Sequence, residues 1–175
     1  MMEFQHSHAS HCESGVMSSM LRHLGLPISE AMAFGLSSAL SFAYLPIIKI
    51  NGLPLVAYRM PPKFIIKGLQ KPLGLKMRFE TVRSPEAGEQ RLNELLDAGQ
   101  LVGMQTSVFW LPYMPEDLRF HFNAHNVLAY GRDAPSGDYQ LSDPVVETTA
   151  TCAPADLRRA RFAKLIGRRA IKAND

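Results

Sequence analysis

Three residues in this chain have the types and placement needed for nucleophilic catalysis. Cys12 follows a polar, His-rich opening and stands where apolar residues begin to recur at helical spacing: Val16, Met17, Met20, Leu21 and Leu24. A cysteine at a helix N-terminus feels partial positive charge, which favours the thiolate, the nucleophilic form. His125 lies 113 residues later, just before the apolar run Val127-Leu128-Ala129. Asp143 lies a further 18 residues on, before Pro144. If the segments after His125 and before Asp143 pair as a hairpin, the start of one lies beside the end of the other. The carboxylate would then orient the imidazole, and the imidazole would face the thiol.

The elements around these residues follow from punctuation and period. Gly25 and Pro27 close a helix begun at Cys12, and Ser29 caps a short helix ending near Gly35. Residues 37–60 read as extended structure with an Asn51-Gly52 hairpin turn. A helix over Phe64, Ile65, Leu69 and Leu73 ends near Gly74, and Met77–Val82 alternates like a strand. Ser84-Pro85 opens a helix that runs to Gly99. Leu101–Val108, His125–Gly131 and Tyr139–Asp143 read as strands, with a turn at Asp133–Gly137. A basic helix follows from Pro154, carrying Arg158, Arg159, Arg161, Lys164, Arg168 and Arg169. Helices first and sheet later make the fold class α+β.

Composition removes several alternatives. The chain has 175 residues, 46% hydrophobic and 20% charged, which fits one globular domain. Its net charge of +3 is mild, and its cations are scattered ahead of the late cluster, so nucleic acid is not expected as a partner. Two cysteines cannot build a disulfide scaffold or a four-cysteine zinc site. No apolar run reaches the 18 or more residues that span a membrane, so no membrane association is expected. The opening residues lack a signal peptide's basic and apolar regions, which makes the cytoplasm the expected setting.

His6, His8, His11 and Cys12 are zinc-type donors, but four ligands within seven residues rarely close a tetrahedron, so no metal is expected. Cys152, in Thr-Ala-Thr-Cys-Ala-Pro, reads as structural. His121 competes with His125 for the role of base; the strand that follows favours His125. Met104 and Trp110 could line a substrate pocket or simply pack, and the arginine cluster could dock an acidic partner.

A family resemblance adds to this. His11-Cys12-Glu13-Ser14-Gly15 and His23–Leu36 resemble the N-terminal domain of the butirosin-biosynthesis acyltransferase family. So do Leu111-Pro112-Tyr113, His121–Leu128 and Leu141-Ser142-Asp143-Pro144, in the expected order. The resemblance implies a papain-like cysteine-peptidase fold related to bacteriocin-leader peptidases. It implies acyl transfer from an acyl carrier protein thioester to a small-molecule amine, in secondary metabolism. Cys12 would be the nucleophile, His125 the base and Asp143 the orienting acid. Gln5, before the nucleophile, is the candidate oxyanion donor beside the Cys12 N–H, and His121 a candidate supporting or substrate-contacting residue. No cofactor is expected beyond the phosphopantetheine carried by the partner protein. Residues 1–175 are read as one such domain, without the second, C-terminal domain the family usually has. The alternatives are a cysteine peptidase or amidase using the same triad, and a non-catalytic binding domain.

Overall fold

The computed structural model describes residues 4–50 and 52–163. Five helices and six strands follow in the order α1 (Cys12–His23), α2 (Glu30–Leu36), β1 (Leu40–Ile50), β2 (Leu53–Arg59), α3 (Phe64–Leu73), α4 (Pro85–Asp97), β3 (Val102–Thr106), β4 (His125–Arg132), β5 (Tyr139–Ser142), β6 (Ala150–Cys152) and α5 (Pro154–Arg161). β3 to β6 form one antiparallel sheet in chain order, while β1 and β2 form a separate antiparallel hairpin. Helices packed on antiparallel sheet agree with the α+β expectation.

The local signals act as their chemistry dictates. Ser29 caps α2 by accepting from the Met32 N–H, and Ser84 caps α4 through the Ala87 N–H. Gly74, at φ +63, closes α3 in the left-handed region that glycine adopts without steric cost. α2 runs one residue past Gly35, since a glycine weakens a helix without ending it. The hairpin forms as expected, although Asn51 of its turn lies outside the described residues.

Two strand expectations change. Met77–Val82 is not a strand among the described residues. Alternation provides a face but not a partner edge, and the sheet forms without this segment. The strand expected over Leu101–Val108 stops at Thr106 and turns into a short 3-10 helix at Val108–Trp110. The three-residue strand β6 has too short a pattern to show in sequence.

The sheet is covered on both faces. On one, Val127, Ala129 and Leu141 pack with Leu92 and Leu96 of α4 and Leu157 and Ala160 of α5. On the other lies α1; a Cβ on Gly103, which pairs with Leu128, would sit 3.5 Å from Val16 and 3.6 Å from Met20. The far side of α1 buries Met17 and Leu21 against Ala33, Ile65 and Leu69. α1 is thus the middle layer between the sheet and α2–α3. No helix among the described residues is long and apolar enough to cross a membrane.

Gly15 sets how closely α1 meets the end of β5. A Cβ there would lie 2.5 Å from Pro144 Cβ and 2.7 Å from Ala9 Cβ, well inside contact distance. Gly15→Ala should therefore lower stability by about 1–3 kcal/mol through overpacking, read as a lower urea midpoint. Gly35→Ala, where nothing lies within 4 Å, should be neutral or slightly stabilising.

Candidate active site

The site forms where the N-terminus of α1 meets the start of β4. Cys12 is the first residue of α1 and is only 8% exposed. His125 is the first residue of β4. β5 pairs antiparallel to β4, Leu128 opposite Ser142, which carries Asp143 to the level of Val127. Residues two apart on a strand share a face, so His125 and Asp143 become diagonal neighbours. The His125 Nε2 lies 2.7 Å from Asp143 Oδ2. That leaves Nδ1 as the ring nitrogen available to the thiol.

Asp143 is completely buried and well supplied with donors. Besides His125, the Tyr113 hydroxyl donates to Oδ2 at 2.9 Å and the Val145 N–H donates to Oδ1 at 3.2 Å. A buried carboxylate needs such partners. The loop holding it is braced by the N-terminal segment. His6 bonds Ser142 Oγ at 2.8 Å and the Val146 carbonyl at 3.0 Å, and the Ala9 N–H donates to Pro144 O at 2.6 Å. The His-rich opening therefore works as a brace. Among the described residues no group of three or more His, Cys, Asp or Glu side chains gathers as a metal site would.

Two buried or bridging carboxylates hold the nucleophile's helix. Glu30 of α2 accepts from the Ser10 and His11 N–H groups, at 3.0 and 2.7 Å, and from the Ser14 hydroxyl at 3.1 Å. Glu13, buried in the first turn of α1, accepts from the Lys63 and Ile66 N–H groups and caps α3. His11 caps α1 itself through the Ser14 N–H. Burial and the nearby Arg59 charge push the His11 imidazole down to about 4, so it is neutral at pH 7.

The electrostatics of the central pair run in opposite directions. Burial alone pushes the Cys12 thiol up, but hydrogen bonds from His125 and from the Asn126 backbone, together with the His125 charge and the Asn126 amide, bring it below the ordinary cysteine value. The Asn126 Nδ2 lies 3.7 Å from Sγ. Burial pulls His125 down, but its bonds to Asp143 and Cys12 and their charges raise it to about 9. The two shifts both favour the thiolate–imidazolium form of the pair.

The remaining sequence candidates fall elsewhere. His121 is exposed and stacks on Phe109, with ring centroids 4.0 Å apart, and His125 rather than His121 holds the Asp143 bond. Gln5 is exposed, and the amide that meets the sulfur belongs to Asn126. Cys152 is buried, donates to the Ala153 carbonyl, and is pushed up to about 12 by burial and the Asp156 and Asp138 charges. Met104 is core, whereas Trp110 is partly exposed with the Arg159 guanidinium 5.6 Å over its ring. Arg158 pairs with Glu89, and Arg161 donates to the Gly88 carbonyl, so both serve the fold. Lys164, Arg168 and Arg169 lie outside the described residues.

Sequence reasoning missed Asn126 and Tyr113. Strand alternation assigns Asn126 to the face opposite His125, and only the seat of Cys12 over the strand end brings both to one sulfur. Nothing local pairs Tyr113 with an acid thirty positions away.

Alkylation of Cys12 by iodoacetamide should persist below the ordinary thiol range and fall off as the thiolate is protonated. His125→Ala should move that profile up towards pH 9, and Asn126→Ala should move it up less. Mass-resolved alkylation rates against pH would check this, with Cys152 as the slow internal reference. The depressed His11 value adds a stability effect. The unfolded chain takes up a proton near pH 6.5 and the folded one only near 4, so stability conferred by neutral His11 is present above pH 6.5 and is lost between those values. His11→Asn should flatten that part of a plot of urea midpoint against pH.

Residues 11–144 match the family model described as butirosin biosynthesis protein H, N-terminal. No curated protein and no solved structure matches the chain. The matched span runs from the cap residue before Cys12 to the proline after Asp143, and so contains Cys12, Tyr113, His125, Asn126 and Asp143. The chain belongs to the family of the butirosin biosynthesis protein H N-terminal domain.

Proposed function

We propose that this chain is an acyltransferase domain of papain-like fold, working through a Cys12 acyl-enzyme. It would move an acyl group from an acyl carrier protein thioester to a small-molecule amine, in cytoplasmic antibiotic or related secondary metabolism. One observation carries the reading: a cysteine at a helix N-terminus shares a buried site with a histidine bonded at 2.7 Å to a buried aspartate. Family membership supports the biosynthetic setting. Residues 1–175 are taken as one such domain.

In the first step, the Cys12 thiolate adds to the thioester carbonyl. The tetrahedral intermediate collapses, the bond to the phosphopantetheine sulfur breaks, and the His125 imidazolium gives its proton to that leaving thiolate. Asp143 keeps the ring oriented and balances its charge while it is protonated. In the second step, the amine adds to the acyl-cysteine carbonyl and neutral His125 takes its proton. Collapse releases the amide and restores the thiolate and, with the proton now on His125, the imidazolium. The oxyanion in both steps would find the Cys12 N–H at the start of α1, and the Asn126 amide supplies a second donor beside the sulfur. Thioester exchange is nearly balanced in energy, and amide formation drives the sequence forward. The domain itself needs no cofactor in this scheme, because the donor brings the phosphopantetheine.

A peptidase or amidase would use the same acyl-enzyme and differ in accepting water rather than an amine. Incubation with acyl-loaded carrier protein and a panel of acyl thioesters should give a discrete acyl mass adduct on the wild type and none on Cys12→Ala. Added amines should discharge it faster than water does. Discharge by water alone would make the protein a hydrolase, and no adduct with any thioester would make it a binding domain. Asp143→Asn should keep the fold and slow acylation by about 10²–10⁴-fold.

A further inference from the structure

The β1–β2 hairpin carries more exposed apolar surface than any other part of the described fold. Ile47 is 95% exposed, Leu40 80% and Phe42 71%, and Tyr44, Ile48, Leu53, Val56 and Tyr58 are also exposed. The register explains their alignment. Tyr44 pairs with Val56, so Phe42, Tyr44, Val56 and Tyr58 share one face. The Phe42 and Tyr58 rings lie 5.9 Å apart on it. Among the described residues the two strands pair only with each other, and at the hairpin's base the Met60 N–H donates to the carbonyl of Ala39, which is buried among the helices. A lone two-stranded ribbon is marginal in water, and an apolar patch of this extent on a monomer marks an interface.

We infer that this face is a self-association surface and that its occupant is the same hairpin of a second copy of this chain. Area is the first argument. Three aromatic rings of about 150–250 Å² each, 56–71% exposed, present about 300–500 Å², and the exposed Leu40, Ile47, Ile48, Leu53 and Val56 of the same hairpin add to it. A stable interface needs about 800 Å² from each partner. Charge is the second. Residues 40–59 contain two charged side chains, Lys49 near the tip and Arg59 at the base. The strip between them is neutral, so it gives an acidic partner nothing to select and lacks the basic cluster that holds a protein on an anionic membrane. Symmetry is the third. A twofold contact needs one self-complementary patch, and two such faces can stack as a small sandwich about 10 Å thick. The inference is independent of the acyltransferase reading.

Light scattering coupled to size exclusion, together with sedimentation velocity across a dilution series, tests it on the full chain. The wild type should run at twice the 19.5 kDa chain mass and dissociate on dilution. The double variant Tyr44→Lys/Val56→Glu replaces the central apolar pair with opposite charges that still pair within the hairpin. It should keep the far-ultraviolet circular dichroism and the cooperative melt of the wild type while raising the dissociation constant at least about tenfold. A wild type of single-chain mass at every concentration overturns the inference. So does a dimer that the double variant leaves unchanged, which places the contact elsewhere. Binding of single chains to phosphatidylcholine vesicles, lost in the double variant, would assign the face to lipid instead.

Discussion

The proton shared among Cys12, His125 and Asp143 is held where water is largely excluded. Moving it from sulfur to imidazole creates two charges at once, and each needs an answer nearby. Asp143 answers the imidazolium, while Asn126 donates to the thiolate from its backbone and its side chain. The Asp143 charge is answered in turn by Tyr113 and Val145. Removing any one of these partners leaves a buried group unpaired, which costs more than the bond contributes when made. The raised His125 value makes its share of the stabilisation fully present below about pH 6.5 and lost as the pH rises to about 9.

Much of the remaining fold keeps α1 and the β5 end in register. Glu30 gathers the backbone ahead of Cys12, and Glu13 ties the helix to α3. Both use a carboxylate to satisfy N–H groups that a turn or helix start leaves open. On the acid's side, His6 and Ala9 run beside Ser142–Val146, and the missing side chain of Gly15 lets Pro144 close against the helix. The His-Cys-Glu-Ser-Gly run thus has a separate physical duty at each position: cap, thiol, remote cap, bond to Glu30, and close approach.

The hairpin stands outside this economy. Its strands bury little, and its aromatic face points away from the two cores that support the site. Such a face is costly in water and unnecessary for holding Cys12 over β4, which is why it reads as a surface for another chain.

Local chemistry in the sequence was enough to define most of the elements. Ser29, Ser84, Gly74, Gly25 and Pro85 mark helix ends because capping and φ preference act within a few residues. Cys12, His125 and Asp143 stood out because each residue type sits at an element end, and hairpin pairing of two adjacent strands brings the last two together at short range. What the sequence left open depends on contacts between distant segments. The Met77–Val82 alternation joins neither sheet, and no local pattern tells a strand whether an edge lies within reach. Asn126 reaches the sulfur, and Gln5 does not, because α1 crosses the sheet at the first residues of β4. Tyr113 meets Asp143, and Arg158 and Arg161 bond to α4, through packing of elements far apart in the chain. Caps and periods are written in neighbouring residues; the height of one layer over another is fixed only when the cores close.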